Sequence, residues 1–159
     1  MSIERAREYL KKHNMDSCMM EFEVSSATVE LAAQAVGVIP ARIAKSLTFM
    51  LPEGPIIIVA AGDARIDNPR FKAQYHTKAK MLTAEEVDER IGHKVGGVCP
   101  FAIMDDVQVY LDESMRRFET VYPACGSSNS AIELTCEQLE KVAQNFRGWV
   151  DVCKGWREE

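Results

Sequence analysis

The sequence lacks the raw material of several common site types. It has only three histidines, at positions 13, 76 and 93, and its five cysteines (18, 99, 125, 136 and 153) are scattered with no Cys-x-x-Cys pair. Zinc spacing and a disulfide framework are both unsupported, and reduced thiols in a cytosol are the default. No apolar run approaches the ~18–20 residues that cross a bilayer, and the longest, Pro55–Ala61, is strand-sized. The start Met1-Ser2-Ile3-Glu4-Arg5 carries charges where a secretion signal is apolar, so a cytoplasmic protein without a membrane partner is expected. The acidic pairs Asp105-Asp106 and Asp63 with Asp67 lack the ligand density of a calcium loop and have no histidine at metal spacing. No metal or cofactor is expected.

What is present is ordinary for a globular chain. With 159 residues, 47% hydrophobic and 27% charged, the simplest organisation is one domain over residues 1–159. A net charge of −5 argues against wrapping a long nucleic-acid backbone, and no DNA partner is expected. A local grip on the end of an RNA stays open, because Arg65, Arg70, Lys72, Lys78 and Lys80 cluster in the sequence.

Periodicity gives a mixed set of elements. Ile3, Ala6 and Leu10 predict an amphipathic helix over 2–13, followed by a short strand over 18–23. Ser25-Ser26 precede the stripe Val29, Ala32, Ala33 and Val36, which stops at Gly37: a second helix with a capping serine. Strands over 43–50 and 56–61 flank Pro52-Glu53-Gly54, a spacing that favours an antiparallel hairpin. Asn68-Pro69 opens a helix to about His76, and the capping box Thr83-Ala84-Glu85-Glu86 opens another that ends at Gly92. Strands are predicted over 107–111, 118–122 and 130–134. A last helix starts at the capping box Thr135–Gln138 and carries Leu139, Val142, Ala143 and Phe146; a final strand is predicted over 149–152. Strands cluster without regular βαβ alternation, so the class is α+β with a strongly curved, antiparallel or mixed sheet flanked by helices.

Three segments carry candidate chemistry. Lys45 lies at odd parity in a strand, on the side of Ile43, Leu47 and Phe49, where a cation is costly unless it meets an anion or a wet cavity. It reads either as a snorkelling edge charge or as a clamp for a phosphate, carboxylate or developing oxyanion. The segment Gly96-Gly97-Val98-Cys99-Pro100 reads either as a plain turn or as a shaped loop whose backbone groups hold a ligand. Cys99 within it raises a nucleophile with His93 as base, but no neighbour in the sequence lowers its pKa. The stretch Cys125-Gly126-Ser127-Ser128-Asn129-Ser130 reads either as a solvated loop or as an anion-binding nest; it lacks the Gly-Lys-Ser/Thr of a P-loop.

In order and spacing, Leu31–Gly37, Ile43-Ala44-Lys45-Ser46-Leu47, Gly96–Pro100 and Gly126–Leu134 resemble the YbaK/ProRS-associated domain family. The likeness spans residues 17–145. It implies a curved, barrel-like mixed sheet in one α+β domain, and an aminoacyl-tRNA deacylase that edits in trans. The substrate implied is the aminoacylated 3′ end of a mischarged tRNA, with Ala- or Cys-tRNA(Pro) or a related small amino acid as candidates. A synthetase is an additional candidate partner. The family's essential lysine falls on Lys45 and its G-x-x-x-P substrate loop on Gly96, Gly97, Val98, Cys99 and Pro100. Met20, Phe22 and Ser46 would shape the amino-acid pocket, with Gly126, Ser127, Ser128 and Asn129 completing it. Some inserted members use a histidine in the later glycine loop; Ser127–Ser130 has none. The rival classes are a non-catalytic module binding tRNA or a synthetase, and a cysteine-dependent hydrolase.

Overall fold

Two extended runs joined by a tight turn form the centre of the fold. In the computed structural model, which describes residues 2–157, β2 (Ile43–Leu51) and β3 (Gly54–Ala61) pair antiparallel across Pro52-Glu53, in register from Ala44↔Ala61 to Leu51↔Gly54. β3 is buried from Pro55 to Ala61, as its unbroken apolar sequence requires for a strand covered on both faces.

Around this hairpin a six-stranded mixed sheet curls in the order β8-β6-β2-β3-β5-β9. Here β5 is Gln108–Asp112, β6 Thr120–Pro123, β8 Leu134–Thr135 and β9 Phe146–Val150. The β2–β6, β3–β5 and β5–β9 pairs are parallel, and β6–β8 is antiparallel. Two short antiparallel pairs stand apart: β1 (Met19–Glu21) with β7 (Ser130–Ile132), and β4 (Arg65–Ile66) with β10 (Cys153–Lys154). The helices are α1 (Ser2–Lys12), α2 (Val29–Val36), α3 (Asn68–Tyr75), α4 (Ala84–Glu86) and α5 (Cys136–Val142). Among the described residues no helix is long and apolar enough to cross a membrane.

The main core gathers Ile56–Ala61 with Phe49, Phe71, Leu111, Met115 and Leu134. A smaller cluster of Ala32, Ala33, Ile43, Tyr122 and Ala131 seats α2 on β2. Both predicted capping boxes form, at Thr83/Glu86 and Thr135/Gln138. From Val87 to Ile91 the helix after Thr83 widens into a π-turn, closed by Gly92 at φ 100°.

Some boundaries differ from expectation. The α2 cap is Thr28, which accepts from the Leu31 N–H at 3.1 Å, rather than Ser25 or Ser26. Ser25 accepts instead from the Ala27 N–H, and the Ser26 hydroxyl donates to the Ser128 carbonyl. The predicted strand 130–134 splits at Glu133, its first half pairing with β1 and its second with β6. Phe146 belongs to β9 and not to the last helix. The chain leaves α5 at Ala143 (ψ 124°) and turns at Asn145 (φ 54°), so the final strand starts three residues earlier than predicted.

Candidate active site

Residues 43–48 of β2, the segment before α2, the 95–98 loop and β7 border a cavity of about 380 Å³. β2 contributes Lys45, Ser46 and Thr48; the loop contributes Gly96 and Val98; β7 contributes Ser130 and Ala131. Much of the remaining wall is small, with Ala27, Ala32, Ala44 and Ala124, and Tyr122 closes one side. Met81, which is 57% exposed, and Val95, 65% exposed, form an apolar lip.

Lys45 stands where the hairpin meets Gly62. Its Nζ donates to the Gly62 carbonyl at 3.3 Å and the side chain is half buried. Burial lowers its pKa, Cys153, Asp63 and Glu30 push it back up, and Arg65 lowers it further. Gly62 has to be glycine, because a Cβ there would stand 2.1 Å from the Pro40 carbonyl oxygen. Next to Lys45, the Ser46 hydroxyl is buried at the cavity with no protein partner among the described residues. A buried hydroxyl without a partner is costly, and a ligand in the cavity would relieve it.

The two glycine segments meet as one structure. Gly96 takes φ +96°, a conformation that favours glycine, and faces Ala27 and Ser128. Gly97 lies flat against the Gly126–Ser127 peptide, where a Cβ would approach backbone atoms to 2.7 Å. The Ser127–Ser130 stretch then ties down the segment before α2. Ser26 N–H donates to the Ser128 carbonyl at 2.6 Å, and Phe22 N–H to the Asn129 carbonyl at 2.8 Å. Asn129 Nδ2 returns a bond to the Phe22 carbonyl at 2.9 Å.

The sequence-predicted site residues therefore divide. Lys45, Ser46, Gly96 and Val98 border the cavity. Gly97, Gly126, Ser127, Ser128 and Asn129 form the scaffold behind its wall. Met20 and Phe22 pack against the Ala32–Tyr122 cluster instead of lining the cavity. Cys99 and Pro100 are buried and turned away, because the Cys99 thiol bonds inward to the Phe101 carbonyl at 3.6 Å. The Cys99 pKa is pushed up to about 12 by burial, and His93 beside it is itself buried, so the pair has no access to a substrate in the cavity.

Sequence reasoning missed Thr48, Met81 and Tyr122 as cavity residues, while Ser130 borders the cavity from the Cys125–Ser130 stretch that it had singled out. The even parity of Thr48 with Ser46 was a usable signal. Tyr122 had none: its hydroxyl donates to Glu133 at 2.8 Å and its ring lies 5.2 Å from the Arg42 guanidinium, contacts made only by folding. Among the residues bordering the cavity there is no carboxylate or imidazole; Lys45 is its cation.

Residues 23–142 match the family model described as the aminoacyl-tRNA editing domain. The uncharacterized protein YwhH of Bacillus subtilis is 51% identical over 158 residues, covering 98% of this chain and 99% of its own. The "Putative Cys-tRNA(Pro)/Cys-tRNA(Cys) deacylase EbsC" of Enterococcus faecalis is 25% identical over 138 residues, 84% of each chain. Proline–tRNA ligase of Thermotoga maritima is 31% identical over 90 residues, 56% of this chain but 15% of the ligase. The crystal structure of a "putative trans-editing enzyme for prolyl tRNA synthetase" superposes with a TM-score of 0.86 at 27% identity, covering 97% of this chain and 98% of that one.

Proposed function

Because this chain belongs to the aminoacyl-tRNA editing domain family, we propose that it is a deacylase that hydrolyses the ester of a mischarged tRNA in trans. The observation that carries this reading is the cavity itself: one cation, Lys45, stands beside an unpartnered hydroxyl and a glycine loop, in a space of about 380 Å³.

An aminoacyl ester is already activated, so orientation and stabilisation of charge suffice for its hydrolysis. Water adds to the ester carbonyl carbon and negative charge gathers on the carbonyl oxygen. The bond to the ribose oxygen then breaks, and that oxygen leaves with a proton drawn from the water. The products are the free amino acid and a tRNA with its terminal hydroxyl restored. In this scheme the Lys45 ammonium faces the developing oxyanion. The backbone of Gly96 and Val98, fixed by the seat of Gly97 on the 126–127 peptide, aligns the aminoacyl group and the water. The Ser46 hydroxyl gains a partner from the substrate.

The alanine-rich wall supports a small amino acid, with larger side chains excluded by clash. Clash discriminates more sharply than a missing methylene, which is worth only ~1–3 kcal/mol. The names of the EbsC and proline–tRNA ligase relatives favour tRNA(Pro) carrying cysteine, with a synthetase as an associated partner, and the small-residue wall adds alanine as a candidate. The test is release of amino acid from a panel of mischarged tRNAs. The expected result is turnover on a small-residue substrate, falling by about 100-fold in Lys45→Ala, the size of loss seen when one oxyanion donor is removed. Wild-type turnover by the variant, or binding without turnover across the whole panel, would defeat the proposal.

A further inference from the structure

The sequence places Arg65, Arg70, Lys72, Lys78 and Lys80 close together, and the fold gives them different partners. Arg70 is neutralised by Asp67 and Asp151, at 3.8 and 3.1 Å. Arg65 lies on β4 beside Lys154 and Gly155 and does not border the groove lined by Lys72 and Lys78. Lys72 and Lys78 instead border one surface groove together with Asn68, Pro69 and Ala79. Both are exposed, and among the described residues neither has an ion-pair partner. Two unpaired cations sharing a groove form a local field against a chain of net charge −5.

That groove connects to the cavity through the backbone. The segment after Lys78 is laid along β2: Met50 N–H donates to the Lys80 carbonyl at 2.9 Å, Phe49 bridges Met81, and Leu82 N–H donates to the Thr48 carbonyl at 3.3 Å. Met81 consequently stands at the cavity lip with buried Leu82 in the wall beside it, and exposed Lys80 stands one residue before Met81. The other approaches are less favourable to a polyanion. The α2 side carries Glu30, whose charge is felt at Lys45. The turn beyond Met81 carries Glu85, Asp88 and Glu89, offset there by Lys94. Lys80 itself faces Glu86, which leaves Lys72 and Lys78 as the main positive pair.

We propose that the groove between α3 and the 78–80 segment receives the sugar–phosphate backbone of the tRNA acceptor end, its phosphates on Lys72 and Lys78, as the terminal nucleotide passes Met81 into the cavity. This rests on the deacylase reading for the direction of the strand, but the surface is tested by binding alone.

The experiment measures affinity of uncharged tRNA by fluorescence anisotropy over a salt series, for the wild type, the Lys72→Glu/Lys78→Glu double variant and Lys141→Glu. Lys141 lies on α5, paired with Glu137, and serves as a charge-reversal control outside the groove. Two lost phosphate contacts should cut affinity at least tenfold at low salt and reduce the log–log salt slope by about 1.5. Equal melting temperatures establish that the variants are folded. The proposal is overturned by a double variant with wild-type slope, by an equal loss in Lys141→Glu, or by a wild type that does not bind tRNA. Groove-dependent binding without release of amino acid supports this surface and defeats the deacylase reading. Turnover with groove-independent binding does the reverse.

Discussion

Cys99 and His93 show how residues that look chemical can be structural. The Phe101 carbonyl accepts from the Cys99 thiol at 3.6 Å and lies 2.6 Å from His93 Nε2. That contact assigns the ring proton to Nε2, and it leaves Nδ1 buried without a partner. Burial therefore lowers the His93 pKa; the Phe101 contact partly offsets this, and the charge of Arg5 lowers it further. Cys99 is the other titratable group in contact. The unfolded chain takes up this proton as pH falls through about 6.5, before the folded state does. The stability tied to neutral His93 is thus present above about pH 6.5 and is lost below it, down to the folded pKa. Urea unfolding should show a midpoint that falls from pH 7.5 to 5.5, with a flatter fall in His93→Gln. An identical slope in the variant would exclude His93 as the cause.

At the scale of elements, the contact between the glycine loops sets the shape of the cavity wall. Gly97 has no room for a Cβ, because the atoms it would meet at 2.7 Å are backbone atoms of Gly126 and Ser127 and not a movable side-chain end. Gly97→Ala must push the loops apart, an overpacking that costs about 1–3 kcal/mol. A lower melting temperature together with weaker deacylation is the expected outcome, and unchanged values of both would refute the packing argument. The sequence announced that both segments were unusual, through Gly96-Gly97 and Gly126, but not that they touch. Local signals were read well where the physics is local: the two capping boxes, the Gly37 and Gly92 stops and the Pro52-Glu53 hairpin all form. They failed where a tertiary partner competes, as when Ser128 takes the Ser26 hydroxyl and the helix cap passes to Thr28.

Over the whole molecule, the segments that hold Lys45 come from distant parts of the chain, which is why its surroundings were not legible. Parity grouped Lys45 with Ile43, Leu47 and Phe49, yet Leu47 and Phe49 pack with the main core and do not border the cavity. The anchor of Lys45 on Gly62 depends on contacts made by residues beyond 110. Ser114 Oγ accepts from Ala61 N–H at 3.1 Å, and the Arg117 guanidinium clasps the Asp63 carboxylate at 2.5 and 2.9 Å. Arg117 also donates to the Ser114 and Trp156 carbonyls, so the last strand pair and the turn after β5 converge on residues 61–63. Asp63 then acts on Lys45 in two ways, through the fixed Gly62 carbonyl and through its negative charge. That charge works with Glu30 and Cys153 against the lowering caused by burial and Arg65. Asp63→Asn keeps an oxygen for Arg117 but removes the charge, so Lys45 should lose its proton at lower pH. If the ammonium form is the active one, the alkaline limb of the deacylation profile moves toward neutrality in Asp63→Asn. A limb that stays in place, or that moves to higher pH, would mean that the ammonium of Lys45 does not set it.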